Sequence, residues 1–515
     1  MSNQLSGRCL NIGNCDVANS MSTVQVDEGS EFVCSECGKP LVASQTTGKS
    51  NNKVLRNTLL SFGVVTGLAA GAFGVTSILK SNTSNSPESG LSVSSNAQAN
   101  GNEILRLAGS NTLGSKLIPA LVEEYFKTKG CSDVAIQKVE IEFVRVTCKL
   151  DGKDYFASVK FKGSATAFTG LKDGTADIGM ASRRAKPAEV ASLAGLSNLT
   201  SPTNEHVIAL DGIAIIVSPS NQVPRLSIPQ VRQIFTGAIS SFSSVGGPST
   251  SVSIYRRDDK SGTFDSFKSL VLHDDPISSS AKDFEDSNEL SAAVAADNKG
   301  IGFVGHTFIG GAHAIPIGAP GQIALLPNRF TIQTEDYPLS RRLYLYTTSE
   351  GGNAEASKFV SFVNSRSGQA VVEKQNFVPL EIVSQRAAAP SNTSNAYQKV
   401  TEGAERLSVN FRFNSGSNQL DNRALADLDR VTEYLIRTST PPSKLVLIGF
   451  ADNVGDPSSN ILLSKDRAQT VAKSLNSRGI APRVITGFGS ENPIASNSSP
   501  EGQQKNRRVE VWVSK

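Results

Sequence analysis

One run of residues limits every fold that this chain can adopt, because Thr58 to Leu79 contains no charged side chain. A helix of that length can span the apolar core of a bilayer. Three basic residues and no acid lie in Lys49–Arg56, whereas only Lys80 follows the run before Glu88. The positive-inside rule then predicts one transmembrane helix over 58–79 in the inner membrane, with residues 1–57 in the cytoplasm and the bulk of the chain in the periplasm.

The same run allows two further interpretations. A secretory signal peptide cleaved after Ala70-Gly71-Ala72 is one alternative, although such signals normally lie at the extreme N-terminus. Gly63, Gly67 and Gly71 recur every four residues and therefore share one helix face. A face of small residues lets two helices approach closely, so a homodimer through the span is a hypothesis. The simpler explanation is that glycine is common in membrane helices.

The cysteines before the run suggest a metal site. Cys34 and Cys37 form a C-x-x-C pattern, and Cys9 with Cys15 would complete a tetrahedral set of four thiolates. Residues 1–45 are therefore predicted to form a cytoplasmic zinc-ribbon-like head with one structural zinc ion. Reduced thiols without a metal are the alternative.

Composition divides the remainder of the chain into two domains. The predicted order is a flexible linker over 81–102, an α/β domain over 103–385, a second linker over 386–401 and a C-terminal domain over 402–515. Cys131 and Cys148 of the α/β domain could form a disulfide, although their spacing does not fix the geometry. A net charge of only +4 without a basic stripe argues against a nucleic-acid partner.

The C-terminal domain brings a carboxylate and a guanidinium into neighbouring elements. Asp452 follows the apolar run Leu445–Phe450, which predicts a buried strand. The stretch beginning at Ser464 is predicted to open a helix that ends at Gly479, which places Arg467 in its first turn. Asp452 and Arg467 can then face one site and hold a zwitterion, with an ammonium on the first and a carboxylate on the second. A structural surface ion pair is the alternative.

From Leu407 to Lys515 the chain resembles the OmpA C-terminal-like family, which grips peptidoglycan. The landmarks of the resemblance are Asp452, Leu463-Ser464, Arg467-Ala468 and Asn506-Arg507-Arg508. The resemblance implies an α/β sandwich in which Asp452 and Arg467 hold the diaminopimelate of the cell-wall stem peptide.

Three loops of the α/β domain share one chemistry, since each leads into the start of a helix. They are Ala108–Thr112, Gly163–Phe168 and Arg257–Thr263. Small residues leave backbone N–H groups free there, and the helix dipole attracts an anion. Hydroxyl groups add hydrogen-bond donors, and Arg257 can supply a bidentate pair of hydrogen bonds. The pattern predicts an oxyanion site, with ordinary helix caps as the alternative.

The order of these loops resembles that of the phosphate-binding periplasmic solute receptors. Further landmarks are Gly174–Arg183, Gly300–Val304 and Pro338–Tyr346. The resemblance covers most of 103–383 and implies a two-lobed periplasmic-binding-protein fold that closes on an anion. One lobe would take about 103–205 with 340–383, and the other about 207–338. The implied ligand-binding residues are Thr112, Leu113, Ser164, Ser182, Arg257, Ser261, Gly262 and Thr263.

Ser182 departs from the pattern of that family. The best-studied receptors carry an aspartate there, which accepts the proton that distinguishes phosphate from sulfate, although one branch of the family also has Ser-Arg. Another acceptor is needed in this chain, and Asp177, Asp258 and Asp259 are the candidates. The ligand is therefore predicted to be an oxyanion, with phosphate expected and the exact anion left open.

Little in the chain suggests catalysis. None of the four histidines stands in a metal-ligand spacing, so no enzymatic activity and no catalytic cofactor are predicted. The predicted function is a membrane-anchored envelope receptor for an oxyanion, tethered to peptidoglycan and serving transport or sensing together with a permease or sensor. The alternative is a structural tether between inner membrane and cell wall whose receptor-like domain binds another ligand or none.

Overall fold

The computed structural model describes residues 4–9, 23–27, 33–35, 41–43, 101–259, 261–318, 323–348, 353–386, 393–414 and 417–514. They belong to two compact units, Met1–Ala99 and Asn100–Lys515, which are described separately. Within those ranges, no helix combines the length and the apolar character needed to cross a bilayer. The predicted span over 58–79 lies outside the described residues, so the transmembrane helix stays a prediction.

The first unit contains a small antiparallel sheet. Its strands are β1 (Gln4–Cys9), β2 (Thr23–Asp27) and β3 (Leu41–Ala43), in the order β2-β1-β3. Cys9 ends the central strand, and Cys34 is buried. Cys15 and Cys37 lie outside the described residues, so the four-thiolate zinc site also stays a prediction.

A mixed sheet forms the first part of the second unit. Its strands are β4 (Asn102–Gly109), β5 (Ser132–Glu140), β6 (Phe143–Leu150), β7 (Lys153–Lys160), β8 (Ile178–Ala181), β9 (Glu205–Val217), β10 (Ser253–Arg257), β11 (Lys282–Phe284), β12 (Gly300–Gly305), β13 (His313–Ala314) and β14 (Ser340–Tyr346). They follow the order β11-β10-β12-β9-β14-β8-β4-β7-β6-β5, with β13 beside β9. Cys131 and Cys148 form a disulfide near the β5 edge, with Cα atoms 5.7 Å apart.

Helices of this part pack on the sheet and on one another. They are α1 (Ile118–Thr128), α2 (Ala165–Lys172), α3 (Pro187–Leu193), α4 (Ile228–Phe235), α5 (Gly262–Phe267), α6 (Ser287–Ala296), α7 (Arg329–Gln333), α8 (Ala354–Asn364) and α9 (Arg366–Lys374). Short π-helical turns precede α1 and follow α5, at Leu113–Leu117 and Lys268–Leu272, and 3-10 turns occur at Phe242–Val245 and His306–Phe308.

One strand, β9, crosses between the lobes. β9 pairs with β14 through Glu205–Gly212 and with β12 through Ile213–Val217, so one continuous strand serves both halves of the sheet. Nearly every residue of β9 is buried, as expected for a strand covered on both faces. The apolar cluster around Phe359 lies in the first lobe, whereas the cluster around Phe303 fills the second lobe and extends to Phe168 and Tyr346 of the first. The predicted two-lobed α/β fold is therefore confirmed.

The C-terminal part forms its own sheet and core. Its strands are β15 (Ser384–Arg386), β16 (Glu405–Arg412), β17 (Leu445–Gly449), β18 (Val484–Gly487) and β19 (Arg508–Val513), in the order β15-β16-β19-β17-β18. Its helices are α10 (Asn395–Thr401), α11 (Asn422–Arg437), α12 (Pro457–Asn476) and α13 (Pro500–Asn506), with a 3-10 turn at Pro442–Lys444. Leu428 of α11 and Val471 of α12 are buried against Leu447 of β17 in the core of an α/β domain.

The predicted second linker, 386–401, needs a correction. Ser394 caps α10, and Tyr397 of that helix packs against Trp512 and Phe450 of the C-terminal domain. β15 likewise pairs with β16, although its residues were assigned to the preceding domain. Aromatic burial and strand pairing thus attach the residues on both sides of 387–392 to the C-terminal domain. Within the predicted linker, residues 387–392 lie outside the described part of the chain.

Candidate functional site

The first predicted anion loop follows β4 at a tight approach of two backbones. Gly109 has a φ of 145°, and a Cβ there would lie 1.9 Å from the carbonyl oxygen of Met180, so only glycine fits. The Ser110 N–H donates to that same oxygen at 2.8 Å. Thr112 and Leu113 follow, both buried, where the chain turns into the helix. The close approach therefore fixes the start of this loop.

Ser164 and Ser182 are brought together by the structure. The Ser182 N–H donates to Ser164 Oγ at 3.1 Å, and the two hydroxyl oxygens lie 3.2 Å apart. Arg183, the next residue, forms a two-bonded ion pair with Glu189 at 2.7 and 2.8 Å. This corner of the cleft therefore offers hydroxyl donors, while its arginine already has a partner.

The predicted loop of the second lobe begins α5 and meets the first loop. Ser261 Oγ accepts a hydrogen bond from the Thr263 N–H at 3.2 Å and so caps the helix. A Cβ on Gly262 would lie 2.7 Å from Thr112 Cα. The Thr112 hydroxyl donates to the Gly262 carbonyl oxygen at 3.3 Å. Loops from the two lobes are thus in contact, and the cleft is closed.

Arg341 of β14, which sequence reasoning missed, contacts both of these loops. Its Nη2 donates to Thr112 Oγ1 at 2.9 Å and to the Gly262 carbonyl oxygen at 3.1 Å. Asp211 of β9 is its ion-pair partner at 3.2 Å, and this carboxylate also accepts a bond from the Ser266 hydroxyl. Burial lowers the pKa of Arg341, and Asp211 opposes the shift. The available signal was a pair of arginines, Arg341 and Arg342, at the start of a strand whose later residues are apolar or aromatic.

Arg257 is not part of this contact. Its side chain donates to the carbonyl oxygens of Phe284 and Glu285, at 3.2 and 2.6 Å, and to the Ser287 hydroxyl. Asp258 lies 3.7 Å from Nη2. Burial lowers the pKa of Arg257, and Asp258 opposes the shift. All three guanidinium nitrogens are used within the protein, so a bound anion would have to replace some of these partners.

The three carboxylates considered as proton acceptors also have partners. Asp177 receives two side-chain bonds from Arg106, at 2.7 and 3.2 Å. Asp259 pairs with Arg256, and Asp258 lies beside Arg257 as described above. None of the three is therefore held open toward the loops at Thr112 and Gly262.

Asp265 is a further carboxyl group that the sequence did not single out. It lies in the first turn of α5, three residues after Gly262, and is partly buried. Burial raises the pKa of Asp265, while the positive charge of Arg341 opposes that rise. A carboxylate whose pKa is raised is a stronger acceptor for a ligand's proton.

The second predicted site lies in the C-terminal domain, where Asp452 follows β17. Only 9% of Asp452 is exposed; it accepts from the Val454 N–H at 3.0 Å and pairs with Arg507 at 2.7 Å. Arg507 also donates to Gln504. Sequence reasoning assigned no role to Arg507, although it belongs to the Asn-Arg-Arg landmark. The carboxylate therefore already holds one cation.

Arg467 differs from the other arginines of the two sites. It is 5% exposed, and its Nε and Nη1 have no hydrogen-bond partner within the part of the chain that the structure describes. Its guanidinium lies 5.7 Å from the centre of the Phe413 ring. Burial and, to a smaller extent, the positive charge of Arg507 lower the pKa of Arg467 to about 10 against the opposing effect of Asp452. Such a buried guanidinium with unused donors suits a carboxylate ligand.

The position of Arg467 corrects the prediction that it lies in the first turn of a helix. α12 begins at Pro457, and the side chain of Asp456 caps it. Ser464 is buried inside the helix, where its Oγ accepts a bond from the Gly489 N–H at 2.9 Å. The Asp-Pro pair is an earlier and complete helix start, because it supplies both a cap and a first-turn proline. Arg467 therefore faces the site from the middle of α12.

Two family models match separate parts of the chain. Residues 94–367, more than half of the 515 residues, match the PBP superfamily domain. Residues 412–507 match the OmpA family.

Relatives with assigned names match the same two parts. The phosphate-binding protein PstS of Staphylococcus saprophyticus is 28% identical over 265 residues, which are 49% of this chain and 80% of that protein. The peptidoglycan-binding protein ArfA of Mycobacterium tuberculosis is 46% identical over 89 residues, which are 17% of this chain but only 27% of ArfA. An ABC-type phosphate transport receptor from Vibrio cholerae, a solved structure, aligns with 53% of this chain and 99% of its own, with a TM-score of 0.42 and 22% identity.

Proposed function

The chain belongs to the PBP superfamily and ends in an OmpA domain, and we propose that it is an envelope receptor that binds phosphate while attached to peptidoglycan. The cleft between the lobes takes the oxyanion, and the site at Asp452 and Arg467 takes diaminopimelate of the stem peptide. The span over 58–79 holds the chain in the inner membrane, so that the receptor stands between membrane and wall. Binding, and not catalysis, is the proposed activity.

The observation that carries the receptor proposal is the contact between the loops at Thr112 and Gly262. One loop comes from each lobe, and each marks the start of a helix, where backbone N–H groups and the helix dipole favour an anion. Arg341 adds a positive charge beside both loops. The relative named PstS, which covers about half of this chain, is a phosphate-binding protein.

Phosphate requires a group that accepts the proton of the ligand. In this proposal Asp265 supplies that carboxylate, because burial raises its pKa and the other candidates are paired with arginines. Ser164 and Ser182 supply hydroxyl donors at the opposite side of the cleft. Sulfate, which carries no proton at neutral pH, would gain nothing from Asp265 and would meet its negative charge.

Attachment to the wall rests on the unused donors of Arg467. A carboxylate of diaminopimelate can accept hydrogen bonds from the unused donors of the Arg467 guanidinium, and the ammonium of the same group can share Asp452 with Arg507. The relative named ArfA, matched over the OmpA part, is a peptidoglycan-binding protein. A zwitterion therefore fits the charges of this site.

A structural tether is the second candidate function. It is favoured by Arg257, whose nitrogens are all bonded within the protein, and by Ser182 in place of a carboxylate. In that case the closed cleft holds another ligand or none, and the chain serves only to connect membrane and wall. A receptor, in contrast, passes its ligand to a permease or a sensor.

Calorimetric titration of the full chain with phosphate and with sulfate separates the two functions. The receptor binds phosphate at micromolar concentration and sulfate much more weakly, and Asp265→Asn narrows that difference. Binding of neither anion at millimolar concentration would leave the tether as the function. Co-sedimentation with purified peptidoglycan, measured on the same preparation, tests the wall attachment that both functions share.

A further inference from the structure

The C-terminal domain docks on the receptor through buried charged groups. Glu335, just before β14, receives Arg342 at 2.6 and 2.8 Å, Arg412 at 3.1 Å and Arg423 at 3.0 Å. Arg412 and Arg423 belong to the C-terminal domain, and all four residues are at least four-fifths buried. Burial alone would raise the pKa of Glu335, but Arg342 and Arg423 hold that pKa well below its usual range. The Glu335 carboxylate therefore stays ionised in this contact.

Backbone groups of the same receptor segment are also held by the C-terminal domain. Arg412 and Asn410 both donate to the Thr334 carbonyl oxygen, at 3.0 and 2.9 Å. Arg423 donates to the Gln333 carbonyl oxygen at 2.6 Å. Glu335 has a φ of 57°, a conformation that is costly outside glycine and that persists only where surrounding contacts enforce it. The segment before β14 is thus fixed by the domain docked on it.

The docked domain touches both lobes of the receptor. The segment around Glu335 belongs to the second lobe, which ends where the chain returns to the first lobe at β14. On the first lobe, Asn422 of α11 donates to the Thr200 carbonyl oxygen at 2.8 Å, and Asp421 pairs with Arg342 at 2.8 Å. A single helix start of the C-terminal domain therefore bridges the crossing point between the lobes.

Two neighbouring residues of β14 connect this docking surface to the ligand cleft. Successive side chains of a strand point to opposite faces. Arg341 bonds the two anion loops at Thr112 and Gly262, whereas Arg342 bonds Glu335 and Asp421 at the domain contact. A rotation of the lobes that separates Thr112 from Gly262 must move β14 against one group of these partners.

We propose that the C-terminal domain acts as a clamp on the receptor, so that its docking favours the closed cleft and raises the affinity for the anion. The proposal rests on the proposed receptor function and adds its regulation. Coupling of two sites is reciprocal, so a bound anion must in turn tighten the domain contact. A load on the peptidoglycan site that pulls the domain from the lobes would then release the ligand.

The test compares phosphate affinity in the full chain before and after the contact is broken. Arg423→Ala removes the bonds to Glu335 and to Gln333 from the side of the C-terminal domain and changes no residue of the anion loops. Phosphate binding is expected to weaken about tenfold, within the usual range of coupling between sites. Arg478→Ala is the matched control, because Arg478 pairs with Asp429 inside the C-terminal domain, and it should leave the affinity unchanged.

Hydrogen exchange of the unmutated chain provides a measurement that needs no folded variant. Saturating phosphate should slow exchange of the backbone N–H groups at 421–437 if ligand and docking are coupled. Unchanged exchange there with phosphate bound would overturn the clamp, and so would wild-type affinity in an Arg423→Ala protein whose domain has undocked. A wild-type chain that binds no phosphate would instead refute the receptor function, so the two failures are distinguishable.

Discussion

The two candidate sites treat their arginines in opposite ways. In the cleft, Arg257 and Arg341 donate hydrogen bonds to groups of the protein itself, and the loops at Thr112 and Gly262 are already in contact. In the OmpA part, Arg467 is buried with two nitrogens unused. The cleft must therefore exchange internal bonds for ligand bonds when it opens and closes. At Asp452 and Arg467 the buried guanidinium is incompletely bonded in the free protein, which is the arrangement that the proposed attachment to the wall requires.

The largest effect expected from this difference is at Arg467. Arg467→Met should reduce co-sedimentation with peptidoglycan about a hundredfold or more, since the unused donors of the buried guanidinium are removed. The same change should stabilise the domain toward urea by about 1 to 3 kcal/mol, because an incompletely bonded buried charge is costly. Lys473→Ala, an exposed change on the same helix, should alter neither property. If Arg467→Met lowered the stability of the domain but left peptidoglycan binding unchanged, Arg467 would be a structural residue and not a ligand-binding one.

A smaller effect is expected at Arg257, where ligand bonds replace existing ones. Arg257→Ala should weaken phosphate binding by about 1 to 2 kcal/mol, or roughly tenfold, the net value of charged hydrogen bonds after exchange. Calorimetry of the full chain measures it. Arg232→Ala, which breaks an exposed pair with Asp275 in the same lobe, is the control. If Arg257→Ala weakened phosphate binding as strongly as Arg467→Met weakens peptidoglycan binding, the donors of the cleft would also be available before the ligand binds.

Lys505, at the contact between the two parts, should give a pH dependence. Burial and, to a smaller extent, the positive charge of Arg412 lower the pKa of Lys505 to about 8. The unfolded chain then binds more protons than the folded one above pH 8, so stability rises with pH up to the ordinary lysine value. Urea unfolding should show a gain of about 2 kcal/mol between pH 7.5 and 9.5, at 1.4 kcal/mol per pKa unit. The gain should disappear in Lys505→Met, and an equal gain in both proteins would assign it to other groups.

The smallest effect on either site is expected from the N-terminal unit. Metal analysis of the reduced full chain should find one zinc ion per chain, lost in Cys34→Ser. Phosphate and peptidoglycan binding should stay the same in that variant, because the predicted zinc site belongs to a separate compact unit. Metal-free wild-type protein would leave the cysteines as ordinary reduced thiols.

The fold of both large domains could be predicted because it is encoded locally. The apolar run at 445–450 indicates a buried strand, and the small-residue loops indicate helix starts near an anion. The start of α12 was wrong by one and a half turns or more, since Ser464 looks like a cap in isolation. Only the tertiary contact to Gly489 shows that its hydroxyl serves another purpose.

The functional residues that sequence reasoning missed have partners that lie far from them in the sequence. Arg341 pairs with Asp211, and Glu335 pairs with Arg412 and Arg423. No spacing rule connects residues so far apart, and a charged side chain in an apolar segment indicates burial without naming a partner. Arg507 was quoted as part of a landmark, yet its bond to Asp452 depends on the pairing of β19 with β17.

The position of β14 has a consequence for how the chain folds during synthesis. This strand lies between β8 and β9, although Tyr346 at its end is made long after both neighbours. Until then the facing edges of β8 and β9 stay unpaired, and such long-range pairing makes folding slow and exposes apolar edges to aggregation. The first lobe can therefore be completed only when nearly the whole receptor domain has been synthesised, so a chain truncated before Ser340 should be insoluble.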